Sequence, residues 1–228
     1  MEAAATREAL LDAALHVFRE RGVARTTLAE IAAAAGLTRG AVYWHFRDKT
    51  DVFTAMCDRV QLPMEATLAR VGEIHHHDPL AALRGVAVNA LVQLATDPGV
   101  QAVFDVIFHK CEFAAEFATI AARRRTTDSA CHLSVERLLQ QAVAKRQLPR
   151  DTDTRVAALG MNAFMVGVMH QWVRLPAAYD LERAAPQMID LFLAGLCAHP
   201  PRLPKPPRRG AARSGTIRSS RLQPARAT

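Results

Sequence analysis

The chain has 228 residues, half of them hydrophobic and 22% charged, so a packed core is within reach and wholesale disorder is excluded. Four cysteines with no CxxC pair exclude a disulfide scaffold and a zinc knuckle, and read as reduced thiols of a cytoplasmic protein. The formal charge of +7 and the pI near 9.8 invite a nucleic-acid reading, but residues 199–228 hold eight basic residues and no acid, and +7 less eight leaves −1 on the body.

Abundant Ala and Leu with only 6% aromatic residues favour an all-α fold. Leu11, Ala14, Leu15 and Phe18 recur at the spacing of one helix face. Thr6 is expected to cap this first helix and Gly22 to stop it. Thr27-Leu28-Ala29-Glu30 is a capping box, which predicts a second helix to about Ala34. Gly36 breaks the chain there, supplying the positive φ of a tight turn. Thr38 caps a third short helix that ends near Phe46. Asp48 caps a fourth, with Asp51 in its first turn favouring the helix dipole, and Pro63 is expected to kink or end it.

Breaks at 77–79 and 97–99 follow, then helices over about 101–119 and 124–147. After Leu148-Pro149 come two more, about 153–174 and 181–197, separated by Leu175-Pro176. The most apolar stretch, 156–173, is interrupted by Asn162, His170 and Gln171, so no membrane span is expected. The start, MEAAATREALLDAAL, lacks the basic and apolar regions of a secretory leader. The end, with HPPRLPKPPRRGAARSG, has no apolar period and reads as a basic disordered tail over 199–228. The expected organisation is a DNA-binding unit at 1–50, a helical domain at 51–198, and this tail.

Residues 27–46, TLAEIAAAAGLTRGAVYWHF, carry the chemistry. Two short helices joined by a glycine turn form a helix-turn-helix, whose second helix enters a major groove. Leu28, Ile31, Val42 and Phe46 are spaced to pack on the Leu11/Leu15/Phe18 face. That leaves Thr38, Arg39, Gly40 and Tyr43 outward. Thr38 offers a hydroxyl to phosphate, and Arg39 can donate twice to a guanine edge. Gly40 keeps the helix slim. Tyr43, Trp44 and His45 suit phosphate and sugar contacts, and the Lys49 amine a backbone oxygen. The opposing reading makes these helices mere scaffold in a small-molecule binder or carrier. A third leaves only the basic tail to bind nucleic acid, without sequence preference.

TTLAEIAAAAGLTRGAVYWHFRDKTDVF resembles the DNA-binding signature of the TetR family of bacterial transcriptional regulators. Phe108-His109-Lys110-Cys111-Glu112-Phe113, Gln147-Leu148-Pro149 and the 168–176 segment are similar to the AcrR/TtgR-type repressors of multidrug efflux pumps. The resemblance implies about nine helices, three of them binding DNA, and a C-terminal domain that binds ligand and dimerises through its last two helices. It implies a homodimer on a palindromic operator, released by a small hydrophobic or aromatic inducer. Matching DNA-contact positions are Thr27, Thr38, Arg39, Gly40, Tyr43, Trp44, His45 and Lys49. Positions matching the pocket are Phe104, Phe108, Asn162, Met165, Val166, Met169 and His170. Met161, Met165 and Met169 form a stripe of the kind that is usually core, with an adaptable pocket wall as the second reading.

No nucleophile elbow, metalloprotease, P-loop or dinucleotide motif occurs, so no catalytic residue, cofactor or metal site is expected. His75-His76-His77-Asp78 reads as a solvated loop, Arg123-Arg124-Arg125 as a solvated helix face, and His109 with Glu112 as a hydrogen-bonded pair.

Overall fold

The computed structural model describes residues 2–111 and 118–204. Helix α1 spans Glu2–Arg21. It opens ahead of Thr6 because Glu2-Ala3-Ala4-Ala5 are strong helix formers, so the expected Thr6 cap is corrected. Its end at Gly22 is as expected, with φ +80° at that glycine. Helix α2 is Leu28–Ala34, α3 is Arg39–His45 and α4 is Lys49–Glu73. All three carry the expected caps. Thr27 and Glu30 close a reciprocal capping box, Thr38 accepts from the Ala41 amide, and Asp48 accepts from that of Asp51.

Pro63 does not end α4, which continues for another ten residues. At 1.5 Å per residue this helix is about 37 Å long. Its C-terminal carbonyls are held by Gln141, whose amide donates to Gly72 O at 3.2 Å and Ile74 O at 3.0 Å. Helix α5 is Pro79–Thr96, capped by Asp78, which also accepts from Gln147 at 2.6 Å. The 75–78 run is therefore partly a capping device, and His76 faces the Val71 carbonyl at 2.7 Å.

The single helix expected over 101–119 is corrected. Helix α6, Pro98–Asp105, passes into a π-helical turn, Val106–Lys110, which ends at Cys111. Helix α7, Ala118–Ala144, starts and stops earlier than expected, closing at a turn where Arg146 adopts φ 62°. Helices α8, Thr154–Arg174, and α9, Leu181–Ala198, lie within a residue of expectation. A 3-10 turn, Pro176–Ala178, separates them.

Two layers share one continuous core. Helices α1–α3 form the head around Phe18, Ile31 and Val42, all fully buried. Helix α4 leaves the head and packs chiefly on α7, while α5 packs on α9 and α7 packs on α8. Helices α5 and α8 are long and apolar enough to cross a membrane by length and composition. Packing accounts for part of that apolarity: Leu83, Leu91 and Leu94 of α5 and Met161 and Trp172 of α8 are buried inside the body.

Residues 201–203 are held against the body, which corrects the expected start of the tail. Thr152 and Arg202 form an antiparallel bridge, Leu203 N donates to Asp151 O at 2.9 Å, and Arg202 pairs with the Asp151 carboxylate. The expected disorder of 205–228 concerns residues outside those described, as do the side chains of Arg123, Arg124 and Arg125.

Three carboxylates tie elements together and should make the fold acid-sensitive. Hydrogen bonds from Thr27 hold Glu30 below its ordinary 4.5, Gln147 holds Asp78 below 3.8, and Arg84 across the α5–α9 contact holds Asp190 below 3.8. Each folded value is depressed, so the stabilisation is complete above the ordinary values and lost as pH falls through the folded ones. Thermal melts should therefore show Tm dropping as pH falls below about 4.5, with a shallower acid limb in a Glu30→Gln, Asp78→Asn, Asp190→Asn variant. An unchanged acid limb would show that these bonds do not stabilise the fold.

Candidate nucleic-acid interface and ligand cavity

The α2–α3 turn is made by Ala35, Gly36 and Leu37. Gly36 has φ +70°, its amide donates to Ala33 O at 3.0 Å, and Leu37 N donates to Ala32 O at 2.9 Å. Space does not demand glycine there, since a Cβ would meet nothing within 4 Å; the left-handed backbone does. The turn lays α3 across the head with Val42 fully buried and Phe46 closing the core behind it.

The opposite face is free, as the sequence predicted. Thr38, Arg39 and Gly40 are exposed, Tyr43 is 49% exposed and Trp44 is 72% exposed. The Arg39 guanidinium lies 5.4 Å from the Tyr43 ring centroid and donates to its hydroxyl at 3.4 Å, a loose contact that leaves most donors available. Trp44 and His45 stack edge to face at 4.6 Å. A Cβ on Gly40 would make only ordinary contact with Thr38 Oγ1 at 3.8 Å, so the fold does not require glycine there.

Two predicted contact residues also have structural work. Thr27 is exposed but holds the capping box, its hydroxyl donating to Glu30 at 2.9 Å. Lys49 Nζ donates to Ala24 O at 2.7 Å, tying the start of α4 to the α1–α2 loop. The sequence reasoning passed over Arg47, whose side chain is 89% exposed in the turn after α3. A basic residue directly after the aromatic run was the available signal.

Head and body meet at the π-helical turn. Val23 N donates to Lys110 O at 2.9 Å, and Arg19 Nε donates to Asp105 Oδ2 at 3.4 Å. The other Asp105 oxygen faces His109 Nδ1 at 3.1 Å. One helical turn back, Asp105 thus takes Nδ1 of the ring; the expected His109–Glu112 pair involves Glu112, which lies outside the described residues.

Behind this junction lies a cavity of about 190 Å³. Of the predicted pocket residues, Phe104, Asn162, Met165, Val166 and Met169 line it. Phe108 and His170 do not. They stand beside it, rings 5.3 Å apart, with Phe108 5.6 Å from Phe104. Walls the sequence reasoning did not supply are Met64, Glu65 and Leu68 of α4, Leu83, Val86 and Ala87 of α5, and Cys131 and Val135 of α7. Nothing in local sequence joins these positions; only packing does. The Met stripe proves to be both things at once, with Met161 and Met169 buried and all three methionines facing the cavity. Among the described residues no cluster of His, Cys, Asp or Glu suits a metal ion.

Comparison with known proteins places this architecture. Residues 10–56 match the family model described as bacterial regulatory proteins, tetR family, and residues 78–197 match that of the MAATS-type transcriptional repressor, C-terminal region. The chain is 35% identical over 199 residues to the HTH-type transcriptional regulator AcrR of Shigella flexneri, covering 84% of this chain and 89% of that one. The crystal structure of NalD, the secondary repressor of the MexAB-OprM multidrug efflux pump in Pseudomonas aeruginosa, superposes with a TM-score of 0.77 at 30% identity, covering 85% of this chain and 96% of that one. SmeT, the repressor of the Stenotrophomonas maltophilia multidrug efflux pump SmeDEF, gives 0.73 at 33% identity, covering 90% and 99%. These are transcriptional regulators rather than enzymes, and the chain belongs to the tetR family of bacterial regulatory proteins.

Proposed function

We propose that this chain is a homodimeric repressor of a multidrug efflux operon. It reads a palindromic operator with α3 and releases it when a small hydrophobic or aromatic compound enters the cavity. The observation that carries the reading is the outer face of α3. A short helix held from behind by Val42 exposes Arg39, Tyr43 and a Trp44 at 72%. A large ring left in water by a chain with only two tryptophans has a use at a surface. The names of NalD and SmeT supply the efflux reading, and a complex of SmeT with triclosan supplies the precedent for a small aromatic ligand.

The last two helices support the homodimer. Val156, Leu159 and Val166 of α8 and Leu191 of α9 are exposed, Leu191 at 75%. These large apolar residues suit a helix-on-helix contact between two copies. Two copies would present two α3 helices, which must fit major grooves about 34–36 Å apart. Helix α4 runs from the Lys49–Ala24 contact to the cavity wall at Met64 and Leu68, so a ligand that moves its lower half changes that spacing. A few kcal/mol of preference for the displaced state suffices to empty the operator. Operator DNA as partner puts the protein in the cytoplasm.

Footprinting on the promoter beside the gene, at fixed salt, tests the reading. Two protected half-sites about one helical turn apart, lost on adding hydrophobic aromatic compounds, are expected. Equal binding to random duplex would overturn it and favour a helical small-molecule carrier.

A further inference from the structure

The charge of the chain is unevenly placed. Residues 205–228 hold one lysine, six arginines and no acid. That is the whole of the +7, so residues 1–204 sum to zero. The head is nearly neutral as well, with seven basic and six acidic residues over 1–50. Several of its cations are also engaged within the protein: Arg19 pairs with Asp105, Arg21 with Glu30, and Lys49 donates to Ala24 O. Binding to DNA without sequence preference depends almost wholly on neutralising phosphates, and the head is poorly supplied for it.

The contacts at 201–203 fix where the basic segment leaves the body. Asp153 N donates to Pro201 O at 2.7 Å, Leu203 N to Asp151 O at 2.9 Å, and Arg202 pairs with the Asp151 carboxylate. The receiving residues follow Gln141 and Gln147, which hold the close of α4 and the start of α5. Helix α4 begins at the head and closes here, so the exit stands roughly a 37 Å helix length from it. From that point 24 residues span at most about 85 Å.

We propose that residues 205–228 are a second DNA site, which holds duplex phosphates without reading bases while α3 holds the operator. Arginine suits the task, since its planar fork pairs with phosphate oxygens. The segment has no Phe, Tyr or Trp to stack on unpaired bases, and Ile217 and Leu222 are its only large apolar residues. That composition favours a duplex over a single strand or a lipid surface. Because the exit faces away from the head, the phosphates belong either to flanking DNA reached past the body or to a separate duplex.

Two full-length variants test the site in anisotropy titrations over a salt series. One carries Lys205→Gln with the six arginines of 208–226 also changed to Gln; the other changes those arginines to Lys. The Gln variant should bind random duplex at least about tenfold more weakly, with a log-affinity against log-salt slope shallower by at least about 3. The Lys variant keeps the charge and should stay within about threefold of the unaltered protein. Operators with and without flanking DNA, and a bead-bound operator offered a separate labelled duplex, show which DNA is held; either gain, absent in the Gln variant, supports the site. Equal random-duplex affinity and slope in the unaltered and Gln proteins would overturn the proposal and leave the operator reading standing. Loss of random-duplex binding in the Gln variant, with no operator preference in either protein, would uphold this site and overturn that reading. Tighter binding of the unaltered protein to phosphatidylserine vesicles than to duplex at equal salt would assign the segment to a membrane and overturn the proposal.

Discussion

Arg39→Ala should lower operator affinity by about 2–6 kcal/mol per dimer at fixed salt, since a bidentate arginine–guanine contact is worth about 1–3 kcal/mol and a symmetric pair makes it twice. That is a loss of roughly thirtyfold or more in a gel-shift titration. Affinity for random duplex should change far less, because one phosphate-facing charge contributes little compared with a base contact. The fold should be indifferent. Arg39 is exposed, and its described contacts are the 3.4 Å bond and the ring contact with Tyr43, one turn away on the same short helix. An unaltered Tm with a collapsed preference for the operator is the expected pair of results. Retained preference would remove Arg39 from base reading and move attention to Tyr43 and Trp44.

Phe18→Ala should cost about 3–5 kcal/mol of stability in urea unfolding. The ring is completely buried, and its centroid lies 6.0 Å from that of Phe53 on α4. It thus joins α1 to the helix that leaves the head. Truncation removes its transfer free energy and leaves a hole between two helices that are also fixed elsewhere, by Arg59 bonding Asp12 at 2.8 Å and by the Lys49–Ala24 bond. Those ties limit collapse into the gap, which puts the cost at the upper end. Because whole-domain stabilities are about 5–15 kcal/mol, the operator-binding fraction should fall with the midpoint at moderate temperature. Phe18→Leu, which keeps most of the volume, should cost less than about 2 kcal/mol. A loss below about 1 kcal/mol in Phe18→Ala would mean that the α1–α4 seam has another foundation.

What was legible in the sequence was local. Thr27 with Glu30, Thr38 with Ala41 and Asp48 with Asp51 each signal within three residues, and each forms. The face of α3 followed from the same spacing, because burying Val42 and Phe46 on a seven-residue helix leaves few choices for Arg39 and Tyr43. Thr6 misled because a cap residue competes with the three alanines before it, which extend the helix at little cost. Pro63 does not end α4, a helix that packs chiefly on α7. The cavity was half visible: its α8 wall lies on one helix and repeats every four residues, whereas the α4, α5 and α7 walls meet it only through packing. Glu65 was invisible for that reason, since a lone acid on a helix usually faces water.

The π-helical turn at Val106–Lys110 has a consequence for chain length. Such a turn fits one more residue into a loop of backbone than its neighbours do, and its last carbonyl is the one that Val23 holds. Deleting any single residue of that stretch would rewind it to ordinary pitch and swing the following segment by about 100°. Lys110 would then turn its oxygen away from the loop it anchors. Substitutions within the stretch should be forgiven more readily than this loss, because the turn needs its count of residues more than their kind.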